Sequence, residues 1–172
     1  MLYRAATPSH ILLVQGGGPV ATALVALSRW GVSCAFGGVI GDDVFGREIW
    51  TGLEEEGIDL QNLLVRKGAA SQFAFIAVTR ESHARTIFWT RGTAPHLKAS
   101  DVNLGPYGGA RVLHLDGLMT DAAAEAARQA REMGMQVVMD AGTFRGGSAE
   151  LLALVDTLIA SETFALTIVP QG

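Results

Sequence analysis

VQGGGPVATALVALSRWG, residues 14–31, joins an apolar strand-like run to an apolar helix-like one through glycine. The apolar run Ile11–Val14 leads into three glycines, Gly16, Gly17 and Gly18, and an almost wholly apolar helix-like stretch, Pro19–Trp30, leads out of them. Glycine lets the backbone approach a ligand closely, and the start of a helix leaves unpaired N–H groups aimed at whatever sits there. Pro19 suits the first helical turn, where an N–H would go unused, and Gly31 supplies the stop. Strand, glycine turn and helix, in that order, open an α/β domain.

Outward from this join the alternation continues. Val32–Gly37 reads as a strand, Gly38–Asp43 as a turn, and Val44–Glu56 as a helix with Phe45, Ile49 and Leu53 on one buried stripe. The period then changes. Ser71–Thr79 and Thr86–Thr90 are aromatic and β-branched, flank the polar stretch Arg80–Arg85, and predict an antiparallel hairpin. After Pro95 the α/β pattern resumes: strand Arg111–Leu115, Ala-rich helix Asp121–Met133, strand Gln136–Met139, helix Ser148–Val155 and strand Thr157–Ala160. The fold class is α/β, a single partial domain over residues 1–172 with a hairpin insert at about 63–94. An antiparallel hairpin inside a parallel α/β chain reads as a lid or an interface.

Composition narrows the function classes. Apolar residues make up 49% of the 172 and charged residues 17%, which suits strands buried on both faces, or core residues awaiting a missing half. A net charge of −4 leaves no basic footprint for nucleic acid. The longest apolar run is too short for a membrane span, and MLYRAATPSH lacks the apolar region of a signal peptide. Cys34 is the lone cysteine, which excludes an intrachain disulfide and suits a reducing cytoplasm.

Four segments beyond plain structure carry chemistry. In the glycine turn, Gly16, Gly18 and Ala21 fit a dinucleotide fingerprint, yet no acidic residue closes the next strand, and the glycines serve a tight turn equally well. Asp42 and Asp43 stand where a helix cap belongs, with a metal or catalytic role as the alternative. Ile87, Trp89 and Arg91 share one face of the hairpin's second strand, so Arg91 is either an anion or sugar clamp or an edge residue in solvent. Asp116 and Asp140 each close a buried strand, and strand C-termini are where open α/β sheets bind ligands. His114 reads as a packed core residue. His10, His83 and His96 show no metal-ligand spacing, so no metal site is expected from them.

In sequence order these segments resemble the ribokinase-like (PfkB-type) carbohydrate kinases, from about Val14 to Ala165. The resemblance rests on the Gly17-Gly18 turn and on F-x-x-x-x-G-D-D-x-F-G (Phe36, Gly41, Asp42, Asp43, Phe45, Gly46). It continues through Arg85-Thr86-Ile87 with its Arg91-Gly92-Thr93-Ala94 tail, Leu115-Asp116-Gly117, and Asp140-Ala141-Gly142. It implies a Rossmann-like three-layer sheet closed by the hairpin lid, and transfer of the γ-phosphoryl of ATP to a sugar hydroxyl. Gly17, Gly18, Thr22, Arg91 and Asp116 would then line the sugar site, with Phe75 and Trp89 on the lid. Asp140, Ser161 and Glu162 would lie on the side of ATP and Mg2+. The partner is a small-molecule sugar, and the lid or an unpaired sheet edge offers a surface for a homodimer.

The departures from the family are equally specific. Thr22 stands where the family places Asn, and no Asp or Glu precedes Asp42 to serve as the family's early sugar-binding Asp. The N-x-x-E motif aligns with Ser161 and Phe164, with Glu162 one position after the Asn place. A Gly-Ala-Gly-Asp segment, which in the family supplies the catalytic base and anion hole, is absent from the sequence. The expectation is therefore an N-terminal portion of a sugar kinase, inactive as a kinase on its own. A non-catalytic sugar-binding or dimerising module is the alternative, and an NAD(P)-dependent oxidoreductase a more distant one.

Overall fold

The computed structural model describes residues 3–7 and 10–169. The chain forms two compact units: one from the N-terminal residues to Gly17 together with Leu24–Pro95, the other from Gly18–Ala23 together with the residues from His96 onward. The first unit opens with an antiparallel pair, β1 (Tyr3–Thr7) and β2 (His10–Val14). Helix α1 (Pro19–Arg29) follows, with the unit boundary inside it. Its last turn is tied to the C-terminal end of α2 (Val44–Glu55): Ser28 Oγ donates to the Glu56 carbonyl at 2.6 Å, and Arg29 Nε to Glu56 Oε2 at 2.8 Å.

The next strand departs from the sequence expectation. Val32–Gly37 forms only an isolated bridge, Ala35 to Asp59, and the strand is β3 at Gly38–Gly41, where a turn was expected. It pairs in parallel with β4 (Leu63–Arg66), a strand that falls within the stretch assigned to the hairpin insert. The glycines that signalled a turn are there for close approach instead. A Cβ on Gly41 would stand 2.0 Å from the Ala69 carbonyl oxygen, and glycine within a strand marks such contacts. Leu53 of α2 is buried in this unit, as are Ile40, Ile58, Leu60 and Leu63.

β5 (Phe73–Val78) and β6 (Arg85–Thr90) form the expected antiparallel hairpin. Phe75, Ile76, Val78, Ile87, Phe88 and Trp89 are all exposed on it.

The second unit is built on a parallel sheet in the order β7 (Val112–Leu115), β8 (Gln136–Ala141), β9 (Thr157–Ala160). Helix α3 (Thr120–Glu132) lays an alanine face on it, with Ala127 and Ala130 fully buried against Val137, Met139 and Leu151. Alanine permits that approach because nothing longer than a methyl intervenes. The start of β8 is pinned by Asp156, whose carboxylate accepts from the Val137 N–H at 2.8 Å and from Arg131 at 2.7 Å. The Val137 amide, and then the guanidinium, hold that carboxyl below its ordinary range. α4 (Ser148–Leu152) and α5 (Glu162–Ile168) complete the unit. α4 is shorter than expected and α5 was not anticipated. No helix among the described residues is long and apolar enough to cross a membrane.

Candidate functional site

The second unit contains a cavity of about 280 Å³ lined by Pro19, Asp116, Leu118, Asp140, Gly142, Thr143 and Arg145. Its position follows from the sheet. β7 and β8 run in parallel, so their C-terminal ends emerge together, and the helices and loops that follow leave a hollow there. The last paired residues are Leu115 and Met139. One step further along, Asp116 and Asp140 stand abreast, and both line the hollow.

Two turns shape the walls. Asp116 Oδ1 accepts from the Leu118 N–H at 3.0 Å, which folds the chain back after β7. The loop after β8 is held at four points. Ser161 Oγ donates to the Gly142 carbonyl at 2.8 Å, and the Arg145 N–H donates to Ser148 Oγ at 2.9 Å. Thr120 Oγ1 donates to the Gly146 carbonyl at 2.9 Å, and Phe144 packs on the fully buried Phe164 with ring centroids 5.5 Å apart. A loop tied this way can hold Thr143 and Arg145 in place without a regular element beneath them. Chemically the hollow offers two carboxylates as acceptors, a guanidinium as a donor, and one hydroxyl. That is a set for a polyhydroxylated or anionic ligand.

Asp116 and Asp140, expected on the sugar side and the nucleotide side respectively, are brought together in this one cavity. Thr22 is exposed on α1, and its N–H donates to the Gly18 carbonyl at 3.0 Å. Pro19, three residues earlier, lines the cavity in its stead. Gly17 and Gly18 are exposed, and a side chain at either would meet nothing within 4 Å. Ser161 caps α5 by accepting from the Phe164 N–H at 3.1 Å, so its hydroxyl is engaged on both sides. Glu162 is exposed in the first turn of α5.

In the other unit, Arg91 Nη2 donates to the Ala94 carbonyl at 3.2 Å. The register puts Phe75 opposite Phe88 and Trp89 opposite Ala74, so Phe75 and Trp89 lie on opposite faces of the hairpin. Sequence reasoning missed Arg145 and Thr143. The signal available was their loop, Thr143–Gly147, which directly follows a strand end already singled out.

Comparison with known proteins decides the family. The model of the pfkB family carbohydrate kinases matches residues 8–171. The chain belongs to that family. This pfkB chain is 30% identical over 135 residues to a protein of Arabidopsis thaliana named probable fructokinase-2, which covers 78% of this chain and 40% of the relative. Among solved structures, a putative ribokinase II from E. coli superposes with a TM-score of 0.76 at 20% identity, over 98% of this chain and 60% of that one. A fructokinase from Xylella fastidiosa with bound ATP gives 0.73 at 22% identity, over 91% and 53%. The fold of this pfkB chain is therefore ribokinase-like, and the chain spans about 40% of the length of the curated relatives it matches.

Proposed function

We propose that this chain carries the acceptor-sugar side of an ATP-dependent carbohydrate kinase. The observation that carries the proposal is the cavity at the C-terminal ends of β7 and β8, where Asp116, Asp140 and Arg145 converge. Carboxylates abreast on neighbouring strands can each accept from a sugar hydroxyl, and Arg145 supplies the opposing donor. Hydrogen bonds to ionised groups discriminate strongly, because a ligand lacking the hydroxyl leaves a desolvated carboxylate unpaired. Fructose is the first sugar to try, since the matched relatives are named fructokinases.

ATP is the phosphoryl donor of this proposal, consistent with the bound ATP of one structural neighbour. Among the described residues no group of three or more His, Cys, Asp or Glu converges as a metal cage. Mg2+ is held by one or two carboxylates together with substrate phosphates, so a site for it would be completed only by the bound nucleotide. In this proposal the β5–β6 hairpin is the lid, and its exposed apolar residues or an unpaired sheet edge offer a surface to a second copy of the chain. Closure over the acceptor is what such a reaction requires, because water competes with the sugar hydroxyl for the phosphoryl group.

The 172-residue polypeptide holds no Gly-Ala-Gly-Asp segment to act as base. Purified alone, it is expected to bind sugar and to release no ADP. Calorimetric titration with fructose tests the binding half. Asp116→Asn is expected to weaken the affinity by about tenfold or more, the worth of a hydrogen bond to a charged group. Equal affinities for the variant and the parent would remove Asp116 from the site. Fructose-dependent ADP release from this chain would refute the assignment of the acceptor side alone.

A further inference from the structure

Asp43 does more than cap α2. Its Oδ1 accepts from the Gly46 N–H at 2.8 Å, which is the capping bond, and also from Ser71 Oγ at 2.7 Å. Its Oδ2 accepts from the Ser71 N–H at 3.0 Å. Ser71 is buried, and its hydroxyl accepts in turn from the Gly41 N–H at 2.9 Å. One carboxylate thus joins the end of β3, the start of α2 and the residue that leads into β5.

The other leg of the hairpin is stitched to the same point. The N–H groups of Thr93 and Ala94 both donate to the Ala70 carbonyl, at 2.9 and 3.1 Å, and the Ala70 N–H donates to Thr93 Oγ1 at 2.8 Å. Gly92 turns with φ +70, and a Cβ there would stand 2.3 Å from the Ala70 oxygen, so only glycine lets the two legs touch. Phe73, the first residue of β5, stacks on Phe45 of α2 at 4.5 Å. Arg91 lies between β6 and this stitched turn, its guanidinium on the Ala94 carbonyl. By contrast, Asp42 is exposed; its carboxylate accepts from the Gly68 N–H at 2.9 Å and its carbonyl from Arg47 Nη1 at 3.2 Å.

We propose that Asp43 and Ser71 form a latch that fixes the root of the β5–β6 hairpin and, through Ala70 and Thr93, the position of Arg91. Both are positioning residues. The latch deepens the kinase reading, on which the hairpin's role as a lid rests. Desolvation raises the Asp43 carboxyl, but the bonds from Ser71 Oγ and from the Gly46 and Ser71 amides outweigh it and hold it below the ordinary range.

Asp43→Asn isolates the latch from the cap. Asn caps helices as well as Asp does, but its amide cannot accept from both Ser71 groups and the Gly46 N–H together. Hydrogen exchange by mass spectrometry is the readout. In Asp43→Asn, exchange in Phe73–Val78 and Arg85–Thr90 is expected to rise about tenfold or more, while that of Val44–Glu55 stays within about twofold. A merely structural cap would loosen α2 first. Ser71→Ala, which leaves the Asp43 cap intact, is expected to loosen the same hairpin segments and stands in if Asp43→Asn fails to fold. Asp42→Asn is expected to leave them unchanged. Unchanged hairpin exchange in Asp43→Asn and Ser71→Ala overturns the latch, as does loosening spread evenly over α2, β3 and β4. Fructose added to the parent chain separates the two claims. Hairpin loosening in the variants without any sugar response keeps the latch and removes the sugar-binding reading, whereas a sugar response with no loosening does the reverse.

Discussion

Gly41→Ala is expected to destabilise the first unit by about 3 kcal/mol or more, since no rotamer change can relieve a clash between a Cβ and a backbone oxygen. The new methyl would lie 2.0 Å from the Ala69 carbonyl oxygen and 2.6 Å from its carbon. Ala69 is the residue before the stitched root of the hairpin, so the strand or the root must move. In a chain of this length such a loss lowers the melting temperature by about 10 °C. Gly52→Ala is the matched control. It lies inside α2 with nothing within 4 Å of the added carbon, and is expected to be neutral or to stabilise by up to about 1 kcal/mol. Calorimetric melts of the two variants check the pair. A Gly41→Ala melt within 2 °C or so of the parent would mean that β3 does not approach residue 69 as described.

Phe164→Ala is expected to cost about 3–5 kcal/mol, the usual range for deleting a fully buried aromatic ring. Phe164 has no exposed surface and packs on Phe144, in the loop that carries Thr143 and Arg145. Two effects should therefore appear together: a lower unfolding midpoint in urea and, where the variant still folds, weaker sugar binding. Phe164→Leu refills part of the space and is expected to recover much of the stability. Full stability in Phe164→Ala would show that the loop after β8 is held by its hydrogen bonds alone.

The α/β alternation and the hairpin were legible because each rests on a local periodicity. The strands that escaped are short. Leu63–Arg66 is three apolar residues and an arginine, too short for periodicity to assign, and Tyr3–Thr7 holds two alanines, which have little preference for strands. β3 was misplaced because Gly38 and Gly41 read as punctuation, when Gly41 is small for close approach to the Ala69 backbone and Gly38 for the Phe36 ring. In the site, Asp116 was legible as the residue after an apolar strand, and Asp140 as the polar end of another.

Arg145 was not, since nothing in its spacing says which way a loop side chain turns; its place depends on ties to Ser148, Thr120 and Phe164. The opposite faces of Phe75 and Trp89 were hidden for a related reason. Alternation fixes the faces of one strand, but which face of β5 matches which face of β6 is a matter of register, set by the turn at Thr79–Ala84.

In the proposed function the hollow at the ends of β7 and β8 receives the sugar. Amide chemical-shift mapping of the 15N-labelled chain during titration with fructose tests it most directly. The expected result is a saturable shift concentrated at Asp116–Leu118 and at residues 140–145, with saturation in Asp116→Asn needing about tenfold more fructose or beyond. Titrations with fructose and ribose that leave those amides unmoved, or that move only amides elsewhere, would contradict it.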